Sequence, residues 1–279
     1  MFFTPLSAFP AESHGVPTSA SEVLHFGSFA VTNSMIMTWL VTLAILAGAK
    51  IFIGRPQLVP SRAQAVVEEL LCSLKDLLAP IVGKRVISAA FPLLVSFFVY
   101  ILLMNWSGLI PGVGNIGAWV GEGEGRHFQD FFRPANSDLN TTLALALISF
   151  AGWIYFVLRY AGLRAFVRET FGNKATRSEV PLPLYLLLTV VFLAVGVIEM
   201  ISIAFRPVSL SLRLYGNVFG GENLLHHLGG ILPYVLPVAG YFLEVLVGLI
   251  QALVFTMLSA VYIGLVCNHS DEHAGETHA

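Results

Sequence analysis

The chain is predicted to be an all-α polytopic membrane protein: N-terminal spanning helices followed by two long, strongly tilted intramembrane helices that form a hairpin. Three observations carry that prediction. Of 279 residues, 56% are hydrophobic and 11% charged, with a mean hydropathy of +0.77, which is more apolar surface than one soluble core of this size needs. Apolar runs of spanning length, roughly 20 residues, fall at about 33–53, 89–110 and 139–160. Apolar sequence then continues from about 182 to 266, broken only near "GGILPYVLP", so that its two parts, about 182–229 and 233–266, each exceed one span. Segments of that length must tilt, bend or lie partly in the membrane plane.

Taken in order, residues 1–30 form a polar, Pro-containing arm, expected to face outside, and residues 31–279 a single membrane domain. No Lys or Arg precedes Lys50, so the basic region of a secretory signal is missing. No repeat of 20–50 residues is visible and the halves do not resemble one another, which argues against an inverted-repeat transporter. The loop between the first and second spans carries Arg55, Arg62, Lys75, Lys84 and Arg85, and the loop after the third carries Arg159, Arg164, Arg168, Lys174 and Arg177. Between the second and third spans, Arg126 and Arg133 are diluted by Glu122, Glu124, Asp130 and Asp138. The positive-inside rule therefore puts the N-terminus outside, the first and third loops inside, and the C-terminal tail "CNHSDEHAGETHA" inside. Cys72 and Cys267 have no metal-ligand spacing and read as small hydrophobes.

Of the 15 basic residues, only Arg206 and Arg213 fall in the last 98 positions, both on the first of the two long helices. Arg206 precedes Pro207, where a bend, a snorkelling role and a functional role are all open. Arg213 has apolar sequence on both sides, and an intramembrane ionisable residue is a functional hypothesis by default. Glu199, Ser202, Arg206, Ser209, Arg213, Gly216 and Gly220 follow one another at spacings of three or four and form one helical stripe, which Asn217 broadens. Small residues in such a stripe let another helix approach closely. Ordinary packing within the chain accounts for the glycines but not for the arginine.

Height along the helix matters as well. Glu199 stands 14 positions before Arg213, roughly 21 Å of rise, and Glu222 nine positions after it, roughly 13 Å. On the returning helix Glu244 and Gln251 share a face, at heights matching Glu222 and Arg213 in an antiparallel hairpin. Carboxylates load and release protons, whereas a guanidinium keeps its charge at any physiological pH. Two acid-lined pockets opening to opposite sides, with Arg213 between them, can exchange protons with a carrier and not with each other. A salt-bridged structural core is the competing explanation.

"PVSLSLRLYGNVFGGENLL" (Pro207 to Leu225) and "QALVFTMLSAVYIGL" (Gln251 to Leu265) closely resemble subunit a of the membrane sector of F-type ATP synthases. "TNSM", "MNWSGLIPG" and "PANSDLNTTLALAL" fit the same family in order, so the resemblance spans nearly the whole chain. It implies a non-catalytic, proton-conducting stator subunit with two offset half-channels facing a rotating ring of c subunits that carry lipid-exposed carboxyl groups. Arg213 matches the family's essential arginine, Asn217 and Gln251 polar residues near it, Glu199 the inward acid, and Glu222 and Glu244 the outward pair. Ser209 borders the inward channel on this reading. Asp138 and Asn140 match a "D-x-N" stretch, where an outer channel mouth and a helix cap are equal readings.

One departure is visible. Relatives commonly pair an acid with a histidine where this chain has Glu222 and Glu244; two neighbouring acids titrate as a unit. His226, one turn after Glu222, is a candidate for the missing imidazole, and an interfacial position is the other reading. The implied partners are the c-subunit ring, peripheral-stalk b-type subunits and the lipid bilayer, with no nucleic acid, cofactor or metal. The implied location is a bacterial inner membrane, with an organelle inner membrane as the alternative. A stand-alone transporter or channel is the rival function. A membrane protease is disfavoured because neither a Gly-x-Ser-Gly nor an H-E-x-x-H element is present.

Overall fold

A computed structural model describes residues 20–26, 29–54, 60–110, 112–113, 116–120, 127–172, 181–231 and 235–276. Most of the N-terminal arm lies outside the described residues. Its end is a two-stranded antiparallel ribbon, β1 (Glu22–Phe26) and β2 (Phe29–Thr32). The ribbon runs straight into α1 (Asn33–Gly48), where Thr32 accepts from the Met35 amide and so caps the helix. A π-helical turn at Ala49–Ile53 prolongs α1.

Helix α2 (Arg62–Val82) was not foreseen, because its charges read as a loop. Ser61 caps it through the Gln64 amide, and Leu74, Leu78 and Val82, four apart, give it one buried edge. Helix α3 (Ile87–Ser107) follows, then a second ribbon of β3 (Gly117–Val120) and β4 (His127–Asp130), then α4 (Leu139–Phe156) with a π-helical extension to Ala161. A short helix, α5 (Leu163–Phe171), leads to the two long helices, α6 (Leu182–Ile231) and α7 (Leu236–Glu276).

The three short spans and the break between α6 and α7 fall where the sequence places them. Among the described residues, five helical segments are long and apolar enough to cross a membrane: Asn33–Phe52, Ile87–Ser107, Leu139–Ala161, Pro183–Ile231 and Leu236–Cys267. Helix α6 has 50 residues, roughly 75 Å at 1.5 Å per residue. A hydrocarbon core of about 30 Å cannot contain such a helix upright, so it lies steeply tilted. Pro207 is buried inside α6 without interrupting it.

Helices α2, α3, α4, α6 and α7 share one core, and α1 packs in a smaller cluster of Met37, Val41, Met104 and Ala135. Leu78, Leu94, Ile101, Leu214, Ala252 and Ile263 are almost inaccessible and draw α2, α3, α6 and α7 together. Helix α3 lies along α7, and α4 along α6. Hydroxyls pin α4 to both long helices: Thr142 to Ser211 of α6 at 3.1 Å and Ser149 to Ser259 of α7 at 2.8 Å. In a bilayer such bonds compete with no water, and small polar residues serve as helix contacts. The first half of α6 instead exposes Leu186, Leu187, Val190 and Ile198, the surface expected of a helix solvated by lipid.

Candidate functional site

The polar stripe of α6 is uncovered. Glu199, Ser209 and Arg213 are exposed, Asn217 is half-buried, and a side chain built at Gly216 or Gly220 would meet nothing within 4 Å. Packing within the chain therefore does not explain these small residues. Among the described residues Arg213 makes no ion pair or hydrogen bond, so a salt-bridged core does not explain the arginine either. Gln251 on α7 is half-buried. Arg206, by contrast, is held within the chain: its guanidinium lies 4.5 Å from the Tyr262 ring centroid and 5.8 Å from that of Trp153. It lines a small cavity of about 20 Å³ with Ser149 and Ser259, room for roughly one water.

A second polar centre forms around the segment from Asp130 to Thr142, between the second ribbon and α4. Asp138 ends the segment as the cap of α4: one carboxylate oxygen accepts from the Asn140 amide at 3.0 Å, and the other from the Ser34 hydroxyl of α1 at 2.9 Å. Asn136 donates to the Asn105 side chain at 2.7 Å, and Asn105 donates to the Gly248 carbonyl of α7 at 3.1 Å. Trp106 donates to the Val245 carbonyl one turn earlier at 3.1 Å. These bonds fasten α1, α3, α4 and α7 at one end of the bundle, and all involve residues within the "TNSM", "MNWSG" and "PANSD" motifs or their partners.

The acids of the later half of α6 and of α7 sit beside this centre. Glu244 lays its carboxylate against Gly221, where any β-carbon would collide with it, so the glycine makes room for the acid next to Glu222. Glu222 is partly buried, and its carboxylate lies 3.7 Å from the guanidinium of Arg133, whose side chain is 1% exposed. Arg133 in turn donates through Nε to Ser137 at 2.9 Å.

Sequence reasoning passed over Arg133, because it counted that residue only as a diluted loop charge. Among the described residues, the charged partner of Glu222 is thus Arg133. His226 is exposed and meets His227 edge to face, with ring centroids 5.9 Å apart. Asn140 is exposed and donates to Asp138 at 3.2 Å. Glu199 lies far back along α6, separated from the Glu222 centre by the length of helix that carries Arg213. Among the described residues no group of three or more His, Cys, Asp or Glu is gathered as a metal site would need.

The sequence matches the family described as ATP synthase A chain across residues 35–264. It is similar to ATP synthase subunit a of Moorella thermoacetica, 32% identical over 242 residues, covering 87% of this chain and 94% of that one. The corresponding subunit of Gloeobacter violaceus is 32% identical, with 86% of both chains covered, and that of Oleidesulfovibrio alaskensis 30% identical over 81% of this chain and 82% of its own. Motif order, the uncovered arginine stripe and these similarities agree, and the chain belongs to the ATP synthase subunit a family.

Proposed function

We propose that the chain is the stator half of a rotary proton translocator, with two offset half-channels that load and unload carboxylates on a turning c-ring. As a member of the subunit a family it is a multi-pass, proton-translocating membrane-sector subunit of ATP synthase. The observation that supports the finer reading is the uncovered stripe: an arginine without a partner among the described residues, flanked by small residues that nothing there fills. A lipid-facing guanidinium is costly, so the stripe calls for a partner that brings negative charge on a closely approaching helix.

On this reading a proton enters from outside past Glu222 and Glu244 and neutralises a ring carboxylate. The neutral site tolerates lipid and rotates through almost a full turn. It reaches the pocket of Glu199, bordered by Ser209, and releases its proton inward. Arg213, with Asn217 and Gln251 beside it, receives the newly ionised site and blocks a direct proton path, since a guanidinium neither gives nor takes a proton. Each charge crossing is worth roughly 2.3 kcal/mol per 100 mV, so several crossings must be summed for one ATP. The subunit itself forms no ATP. Peripheral-stalk b-type subunits hold it against the torque, and its N-terminus faces outside and its C-terminus the cytoplasm of a bacterial cell.

The test is Arg213→Ala in the assembled complex, in membrane vesicles, with ATP-driven proton pumping and passive proton leak measured together. Pumping is expected to vanish and leak to rise. Coupled pumping near the parental rate would sink the mechanism and return Arg213 to a structural charge.

A further inference from the structure

We propose that Arg133 is a positioning residue of the outward half-channel, a fixed counter-charge that sets how Glu222 takes up and releases its proton. The inference rests on the reading of Glu222 as a half-channel acid. It begins from a cost: an arginine side chain that is 1% exposed must be matched by charge and hydrogen bonds, or it destabilises the fold. The local structure aims it. Arg133 Nε donates to the Ser137 hydroxyl at 2.9 Å, and that hydroxyl donates onward to the Pro134 carbonyl at 2.8 Å. The guanidinium is thereby directed off the segment and toward α6.

The separation from Glu222 is 3.7 Å, an ion-pair distance but longer than a hydrogen bond. The carboxylate is attracted without being clamped in a bidentate fork. A fixed positive charge at this distance interacts with the ionised form of a carboxyl group and not with its neutral form. Arg133 cannot relay a proton itself, so its influence passes through Glu222.

Among the described residues, the other charged and titratable groups around Glu222 are few. Asp130 ends β4, three residues before Arg133 on the segment that carries it. Glu244 approaches from α7 beside Gly221. His226, on α6 itself, is exposed and turned to His227. Among these groups Arg133 is the fixed cation set against three carboxyls. It fills the role of a basic partner to the paired acids, and it comes from the loop before α4.

The experiment compares Arg133→Gln and Arg133→Lys in the assembled complex, in inverted vesicles loaded with buffers of different pH. The initial rate of ATP-driven pumping is measured against luminal pH, the side onto which the outward half-channel opens. Without the cation, Glu222 holds its proton more tightly, so the Gln variant needs a more alkaline lumen to release it. Its profile is expected to move to a more alkaline luminal pH, and Lys is expected to restore the parental position. A Gln profile in the parental position, whether or not the overall rate falls, overturns the proposal and leaves Arg133 as a loop pin.

If the Gln variant does not assemble, the Lys variant decides. Pumping with the parental profile supports a charge requirement, and assembled complexes that pump poorly or at a shifted pH refute it. The Arg213→Ala complex serves as control. If it still pumps, the half-channel reading has failed. If it does not, and Arg133→Gln leaves the profile in place, only the present inference falls.

Discussion

At the scale of single residues, Asp138 shows how a motif position divides between structure and chemistry. Both of its oxygens are already engaged, one by the Asn140 amide and one by the Ser34 hydroxyl, and it is 7% exposed. Removing it as Asp138→Ala forfeits a helix cap, about 1 kcal/mol, and the charge-assisted bond from Ser34, about 1.5–3 kcal/mol, although that hydroxyl keeps Thr32 as a neighbour at 3.0 Å. The thermal midpoint of the purified complex should fall accordingly. Asp138→Asn keeps an acceptor for the amide and a group to face Ser34, and it is expected to hold both stability and pumping near the parental values. A stable Asn variant that no longer pumps would instead make Asp138 the outer mouth. The sequence left these two readings level because a cap is a local pattern, whereas the bond to Ser34 joins positions more than a hundred residues apart. Arg133 was illegible for the same reason. Its neighbours in sequence are acids that dilute its charge, and its partner Glu222 is supplied by another helix. Arg213 was legible because its signal is entirely local, a fixed charge in an apolar run.

At the scale of helices, length and hydropathy located α1, α3, α4, α6 and α7, because in a bilayer these quantities are what a span must satisfy. Helix α2 needed a different reading. Its apolar edge of Leu74, Leu78 and Val82 is a helical pattern, but it is narrow and surrounded by charge. The seam between α3 and α7 was hidden altogether, since close approach depends on which glycine faces which side chain. A β-carbon at Gly248 would sit 3.2 Å from Asn105 Cβ and 3.3 Å from Trp106 Cδ1, tighter than packed atoms allow without movement. Both neighbours are held by hydrogen bonds to α7, so they cannot yield freely. Gly248→Val is therefore expected to part the helices and cost about 1–3 kcal/mol of overpacking strain, with the two hydrogen bonds weakened besides. Heating the detergent-solubilised complex and following dissociation of this subunit reads the effect. An unchanged midpoint would mean that α3 and α7 are less tightly apposed than these contacts require.

At the scale of the whole molecule, the remaining question is which end faces which compartment, and charge in the loops is the feature that bears on it. The segment between the first two spans carries Arg62, Lys75, Lys84 and Arg85, and the positive-inside rule assigns it to the cytoplasm. On the proposed mechanism, that assignment would make Glu199 the inward acid and the Glu222 centre the outward one, because α6 runs from one side to the other. The chain carries its own probe. Cys72 is a free, exposed thiol on α2, and Cys267 is buried, so a membrane-impermeant maleimide has one accessible target. In inverted vesicles Cys72 is expected to be modified, with the labelled peptide lost in Cys72→Ala, and in right-side-out vesicles it is expected to be protected. The reverse pattern would exchange the inward and outward acids while leaving Arg213 between them, because the order of groups along α6 is independent of the direction in which the helix crosses. The coupling argument would then survive with its sign inverted, and the luminal pH dependence assigned to Arg133 and Glu222 would move to the opposite face.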